Sequence, residues 1–298
     1  MRKKKKKSII PFVIIFVIGL CILLYPVISR MLADWDASNY VQTFEQEKGK
    51  ISTVEVQERL SLAHAYNEGL MERGEVLEDP YQKERQEKGR AEYARMLEIH
   101  EQIGHISIPR IQQDLPIFAG TEEVVLRKGV GHMQGTSLPI GGNNTHCVLT
   151  AHRGLPEAVL FSKLNEVVVG DKFYVTNLYE TLAYEVDQIK TIEPSVFDDL
   201  IIKSGHDYVT LLTCTPYMVN SHRLLVRGHR IEYVPDQKLA DETVYKNNHR
   251  YRWILYIFLI LAGTAVFLYF IDFITGGSKR RRKKRMAKKA PAVKEKEE

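Results

Sequence analysis

Cysteine is scarce in this chain, with three in 298 residues, and that scarcity excludes a disulfide-stapled scaffold. Cys21 lies inside an apolar run, so Cys147 and Cys214 are the single pair free to bond by count. There is no metal-type ladder of Cys and His, no internal repeat and, between residues 103 and 235, no long helical periodicity. A metal or other cofactor is therefore not expected, and neither is a solenoid. The net charge of +5 is small, and the basic residues gather at the two ends instead of spreading over a face, so nucleic acid is not an expected partner.

What is present is a pair of long apolar runs with basic flanks. Arg2–Lys7 precedes residues 9–28, and Trp253–Ile271 precedes the run Lys279–Arg285. About 20 apolar residues suffice to cross a bilayer as a helix. Basic flanks mark the cytoplasmic side, which puts both termini inside and the intervening residues outside, at the cell membrane as a multi-pass protein. His249, Arg250 and Arg252 add some positive charge on the outer side of the second run and weigh against that orientation. The first run has no small-x-small cleavage site close behind it, and Tyr25-Pro26 interrupts the region where one would fall, so an anchor is the better reading than a cleaved signal. The second run with its basic tail also has the outline of a surface-protein sorting signal. Such a signal needs a Leu-Pro-x-Thr-Gly-like motif just before the span, and residues 234–252 contain none.

Between the runs the texture changes twice. Residues 29–102 are charged with helix-like apolar spacing at Val54, Leu60, Leu62, Ala65 and Leu70, with breaks suggested at Gly49-Lys50 and Gly69. Residues 74–81 interrupt that pattern, and Lys83–Glu98 resumes it. From Gly104 onward come short β-prone runs: His105–Ile108, Leu115–Phe118, Gly131–Met133, Thr145–Ala151, Lys172–Asn177, Leu182–Ile192, Tyr208–Thr213 and Leu224–Val234. A short helix is expected over 122–129 and a single helical turn at Leu160–Leu164. About eight strands with little helix among them predict a mainly β fold, an eight-stranded closed barrel. The boundaries read as 1–8 cytoplasmic, 9–28 span, 29–102 helical region, 103–235 barrel, 236–252 linker, 253–274 span and 275–298 basic tail.

Chemistry concentrates at strand ends. The run Tyr208–Thr213 ends at Cys214, a Pro/Asn loop follows, and the next run opens at Arg223. Two adjacent strands thus deliver a thiol and a guanidinium to one end of a sheet, where a cation favours thiolate or holds a developing oxyanion. Val148–Ala151 ends at His152 and a glycine turn, which supplies an acid or base. Arg223 and Arg227 share a strand face, so periodicity does not separate them. His146, Cys147 and His152 do not make a zinc site, because alternating faces divide adjacent ligands and no fourth is apparent. Cys147 reads as a small buried residue, and Thr213 as a strand residue that could also touch a substrate.

Three segments also carry a family resemblance: Leu149-Thr150-Ala151-His152-Arg153-Gly154, Thr213-Cys214-Thr215-Pro216 and Arg223-Leu224-Leu225-Val226-Arg227-Gly228 resemble the signature blocks of sortases, cysteine transpeptidases of Gram-positive surfaces. The wording is similar to that of the pilus-building class C. The resemblance implies Cys214 as nucleophile, His152 as acid and base, and Arg223 as the catalytic arginine. It implies cleavage of LPxTG-like sorting signals between Thr and Gly and transfer to a lysine of an acceptor pilin. Asp79-Pro80-Tyr81 matches the Asp-Pro-aromatic lid of that class, placed at about 75–82, in which the acid contacts the arginine and the aromatic covers the cysteine. Taken alone, Asp-Pro is an ordinary turn. The alternative within the family is a housekeeping enzyme that attaches surface proteins to cell-wall precursor. The basic tail is expected to lie near anionic membrane lipid.

Overall fold

The computed structural model describes residues 10–73, 77, 79–81, 93–244 and, further on, 258, 260–265, 267 and 269. The terminal basic segments, most of the expected helix at 83–98 and most of the second apolar run lie outside the described residues. The described positions in that second run are helical.

The first apolar run does not stop at the membrane boundary. One helix, α1, runs from Ile10 to Lys48 with Pro26 inside it. Its first half is exposed and apolar, with Ile14, Ile15, Ile18, Ile22, Leu23 and Ile28 open on the surface, as suits a helix solvated by lipid. It is long and apolar enough to cross a membrane. From Ala37 the same helix starts to bury side chains, and Phe44 is almost fully enclosed. Tyr40 meets the Phe118 ring edge-on at 5.5 Å. His105 bridges α1 to the barrel, with Nε2 3.1 Å from Glu45 and Nδ1 2.7 Å from Asp114. Burial works against a charge on His105, but the hydrogen bonds to Asp114 and Glu45 outweigh it and its pKa is raised.

A turn at Gly49-Lys50 separates α1 from α2, Thr53–Arg73, whose start is capped by Ser52 Oγ accepting from the Glu55 amide at 3.2 Å. The buried stripe of α2 is Val56, Leu60, Ala63, Asn67 and Leu70. This corrects the sequence reading, since Val54, Leu62 and Ala65 face solvent. Composition alone did not fix the phase of the helix, because alanines and leucines occur on both sides. Gly69 does not break the helix either, since α2 continues through it to Arg73. Asn67 accounts for its own burial by accepting from the Leu138 amide at 2.7 Å, which ties α2 to a loop of the barrel.

Eight strands close into a barrel: β1 Gln102–Ile108, β2 Gln113–Ala119, β3 Val130–His132, β4 Thr145–Thr150, β5 Lys172–Thr176, β6 Thr181–Ile192, β7 Asp207–Thr215 and β8 His222–Ile231. Their order around the barrel is β1-β2-β3-β4-β7-β8-β6-β5, with β2/β3 and β4/β7 parallel. Closure leaves no free sheet edge. Between β2 and β3 the expected helix shortens to Glu123–Leu126, and the turn after Leu160 ends as a 3-10 helix, Leu164–Glu166.

Alternation along β4 and β7 sends Cys147, Leu149, Val209 and Leu211 into the barrel core. Met133, Val148, Leu212 and Leu225 form a second, outer cluster with Ile192 at the end of β6 and Leu200 from the β6–β7 connection. Leu77 and Tyr81 pack on this outer cluster, and every residue of β4 is buried. Residues 235–244, of which all but the first were read from sequence as the start of a linker, form a helix held to the barrel where Tyr174 donates to Asp241 at 2.8 Å and Ser107 to Glu242 at 3.0 Å.

Candidate active site

The register of β7 against β8 sets Cys214 directly opposite Arg223. Paired residues on one face of an antiparallel ladder have Cβ atoms about 4.5–5.5 Å apart, so the strands alone deliver sulfur and guanidinium to the same spot. His152 arrives from the other side. The parallel register of β4 and β7 pairs Thr150 with Leu212, so two residues further on His152 is level with Cys214. The extension is stitched by Thr213 Oγ1 donating to the Ala151 carbonyl at 2.7 Å and by Arg153 donating to Thr215 Oγ1 at 2.9 Å. Thr213 thus has a structural hydrogen bond of its own.

Leu77 and residues 79–81 lie over this end. Asp79 receives two hydrogen bonds from Arg223, from Nε at 2.9 Å and from Nη2 at 2.6 Å. The remaining guanidinium nitrogen donates to the Asn220 and His222 carbonyls, both at 3.0 Å. Each nitrogen of Arg223 is thereby engaged. The two side chains are only 7% and 5% exposed, so the pair is buried. Removing one partner of a buried pair leaves an uncompensated charge, which costs about 3–5 kcal/mol. Pro80 is buried behind Asp79.

Tyr81 reaches deepest. Its hydroxyl donates to the Ala151 carbonyl at 2.7 Å and accepts from Thr150 at 2.7 Å, and its ring lies 5.1 Å from the Arg223 guanidinium and 5.8 Å from the His152 ring. Burial pushes the Tyr81 hydroxyl well up, so it stays neutral.

The electrostatics of Cys214 follow from this cover. The residue is 6% exposed, and desolvation is the largest influence on its thiol. Arg223 and Arg153 pull the pKa down while Asp79 pushes it up, and the result is a thiol pushed up to about 11. In this arrangement the sulfur is protonated at neutral pH. Cys147, by contrast, is enclosed in the barrel interior with its pKa raised by burial, and neither residue is in a disulfide.

The structure therefore brings Cys214, His152, Arg223, Asp79, Pro80 and Tyr81 into one place. Several contributors were not read from sequence. Glu123 lies 3.0 Å from His152 Nε2 and is also bonded to Arg127 at 2.7 Å. Nothing in a 29-residue separation signals that contact. Arg153, inside a recognisable segment, orders the loop by contacts to Ser162, Asn165 and Thr215. Of the other histidines, His132 and His146 are buried with pKa values lowered by desolvation to about 4, and each has hydrogen-bond partners that account for it structurally.

A barrel of this topology with sulfur and guanidinium on neighbouring strand ends defines a class of thiol-dependent proteins, and comparison places the chain within it. The family model of the sortase domain matches residues 106–231. The crystal structure of sortase C-1 from Streptococcus pneumoniae is 59% identical, with 65% of this chain and 98% of that chain covered at a TM-score of 0.63. Sortase C1 of Streptococcus agalactiae is 54% identical over 66% of this chain and 99% of that one, with a TM-score of 0.62. Sortase A of Streptococcus agalactiae is 30% identical over 147 residues, a match that spans 58% of that protein. The chain belongs to the sortase family, the cysteine transpeptidases that its three sequence segments resemble.

Proposed function

We propose that the protein is a membrane-anchored sortase of the pilus-assembling kind, held in a closed state by segment 77–81. The observation that carries this reading is the bidentate Arg223–Asp79 pair over Cys214, because it occupies the groups a transpeptidase would use. Support comes also from the relatives: a structure described as a pilus-related sortase C of Group B Streptococcus is 58% identical over 97% of its own length. The housekeeping alternative is less well supported, since the Sortase A relatives match at 29–30% identity over 58–60% of their lengths.

In the proposed reaction segment 77–81 swings away, and Arg223 loses its carboxylate partner. Water and substrate then reach Cys214, and departure of Asp79 removes a charge that raises its pKa. The thiolate attacks the Thr–Gly carbonyl of an LPxTG-like sorting signal, with Arg223 donating to the substrate or to the developing oxyanion. His152 protonates the departing amine, leaving a thioacyl enzyme, and later takes a proton from the incoming lysine amine. The product is an isopeptide bond between pilin subunits and a free thiol. Positioning of the donors before charge develops is worth about 3–4 kcal/mol per donor in comparable oxyanion sites.

The test uses the full chain with a pilin bearing a sorting signal. Cys214→Ala is expected to abolish polymer while pilin secretion continues. Polymer formation by that variant would sink the assignment.

A further inference from the structure

The position of the site along α1 fixes where it opens. Arg30 is the first charged residue after the exposed apolar stretch of α1, and its Nε donates to the Pro156 carbonyl at 3.1 Å. One turn further on, Asp34 feels the charges of Arg30 and Lys163, so the loops around 156 and 163 sit beside the start of the water-exposed half of the helix. At the opposite end of α1, Lys48 feels Glu180, which lies in the β5–β6 turn. Eighteen residues of helix separate Arg30 from Lys48, about 27 Å at 1.5 Å per residue. The barrel thus lies along α1 with its 154–163 loops near the apolar half and its β5–β6 turn far from it.

The Cys214 end is the near end. His152 and Gly154 precede Pro156 directly, and a Cβ on Gly154 would stand 3.3 Å from the Tyr217 ring and 3.4 Å from the Met218 sulfur. The β7–β8 loop carrying these residues presents Tyr217, Met218 and Val219 at 48%, 69% and 69% exposure, three large side chains in a row. Tyr25, Met31, Leu32 and Trp35 are exposed on the stretch of α1 that brackets Arg30, the mixture of aromatic and aliphatic groups that suits the edge of a bilayer.

We propose that the Tyr217-Met218-Val219 loop inserts into the headgroup region of the membrane that α1 crosses, so that the mouth of the Cys214 site opens at the bilayer surface. The occupant of this apolar tip is phospholipid, because the tip is continuous with the lipid-facing helix through Gly154, Pro156 and Arg30. Such placement suits a substrate whose scissile bond precedes a membrane span, since that bond is presented at the same height. The inference rests on α1 being a membrane span, which the experiment checks separately.

Full-length protein is reconstituted in phosphatidylcholine/phosphatidylglycerol vesicles in a Cys21→Ser, Cys214→Ala background. Single probes are attached through Met218→Cys, Val219→Cys, Tyr179→Cys or Ile22→Cys, each carrying an environment-sensitive fluorophore, and lipids bearing a quencher either near the headgroup or deep in the acyl chain are compared. Headgroup-level quenching at least twofold stronger at 218 and 219 than at 179 is the expected result. Equal quenching at 218, 219 and 179, with Ile22 quenched by the deep lipid, overturns the insertion and leaves the span intact. No quenching at Ile22 overturns the span and the insertion with it. Protection of 218 that appears only when a pilin is added reassigns the loop to a protein partner and overturns the proposal as well.

Discussion

Strand β8 holds two arginines four residues apart on one face, and each is clamped by a carboxylate in the same forked geometry. Arg227 meets Asp187 at 2.9 and 3.1 Å, and Arg223 meets Asp79 at 2.9 and 2.6 Å. The partners differ in origin. Asp187 belongs to the neighbouring strand β6, at the irregularity in its register with β8, so it cannot leave without unzipping the barrel. Asp79 is 144 residues away in sequence and belongs to no strand of the barrel. Arg227 is further fixed by the Tyr208 ring 4.3 Å beneath it. The same pair of side chains is thus a permanent brace at one position and, under the proposed function, a removable one at the other, and the difference lies in how each carboxylate is tethered.

The largest test of that contrast removes the chemistry. Cys214→Ala in the full chain is expected to reduce thioacyl formation with an electrophilic sorting peptide to background, read by mass spectrometry of the intact protein. Next, Asp79→Ala is expected to raise the alkylation rate of Cys214 by iodoacetamide at pH 7.5. A thiol released from about 11 toward the ordinary 8.5 to 9 gains on the order of 100-fold in thiolate, with renewed access to water the larger part of that gain and loss of the Asp79 charge the smaller. The sign is checked by the pH profile, because the thiolate is the reactive form. Alkylation of the parent chain rises only at strongly alkaline pH, and the Asp79→Ala profile has its midpoint at lower pH. An unshifted midpoint would mean that the carboxylate does not hold the thiol down.

Asp187→Ala makes the reciprocal case. It is expected to cost about 1–3 kcal/mol in urea unfolding by leaving Arg227 without its charged partner, while the alkylation rate of Cys214 stays within twofold of the parent. A rate rise comparable to that of Asp79→Ala would show that both pairs brace the cover. The smallest effect is expected for Tyr81→Phe, which keeps the ring but loses the hydroxyl that bonds Ala151 and Thr150. A net hydrogen bond of about 0.5–1.5 kcal/mol translates into roughly 2- to 12-fold faster alkylation.

Much of this was legible beforehand because the strands are bounded by turns and carry apolar and β-branched residues between them. Each of the eight expected runs falls on a strand, and the Cys214, Arg223 and His152 segments end where the sequence placed them. Parity along β8 could not separate Arg223 from Arg227, since the face is common to both and the distinction resides in Asp79 and Asp187. The phase of α2 was misread because a stripe that includes Asn67 does not look apolar until Leu138 is seen beside it. Glu123 was invisible for a related reason: a surface acid on a four-residue helix carries no periodic signal, and only the barrel brings it to His152. The docking of residues 235–244 on Tyr174 and Ser107 likewise depends on partners far away in sequence.

The protonated, nearly dry state of Cys214 bears on the durability of the protein as well as on its reactivity. Peroxides and related oxidants consume thiolates much faster than thiols, and oxidation beyond the sulfenic stage is not readily reversed. Under the proposed function, a sulfur kept neutral beneath Asp79 and Tyr81 is shielded from wear between turnovers, and each opening of the proposed cover exposes it only for as long as a substrate needs it.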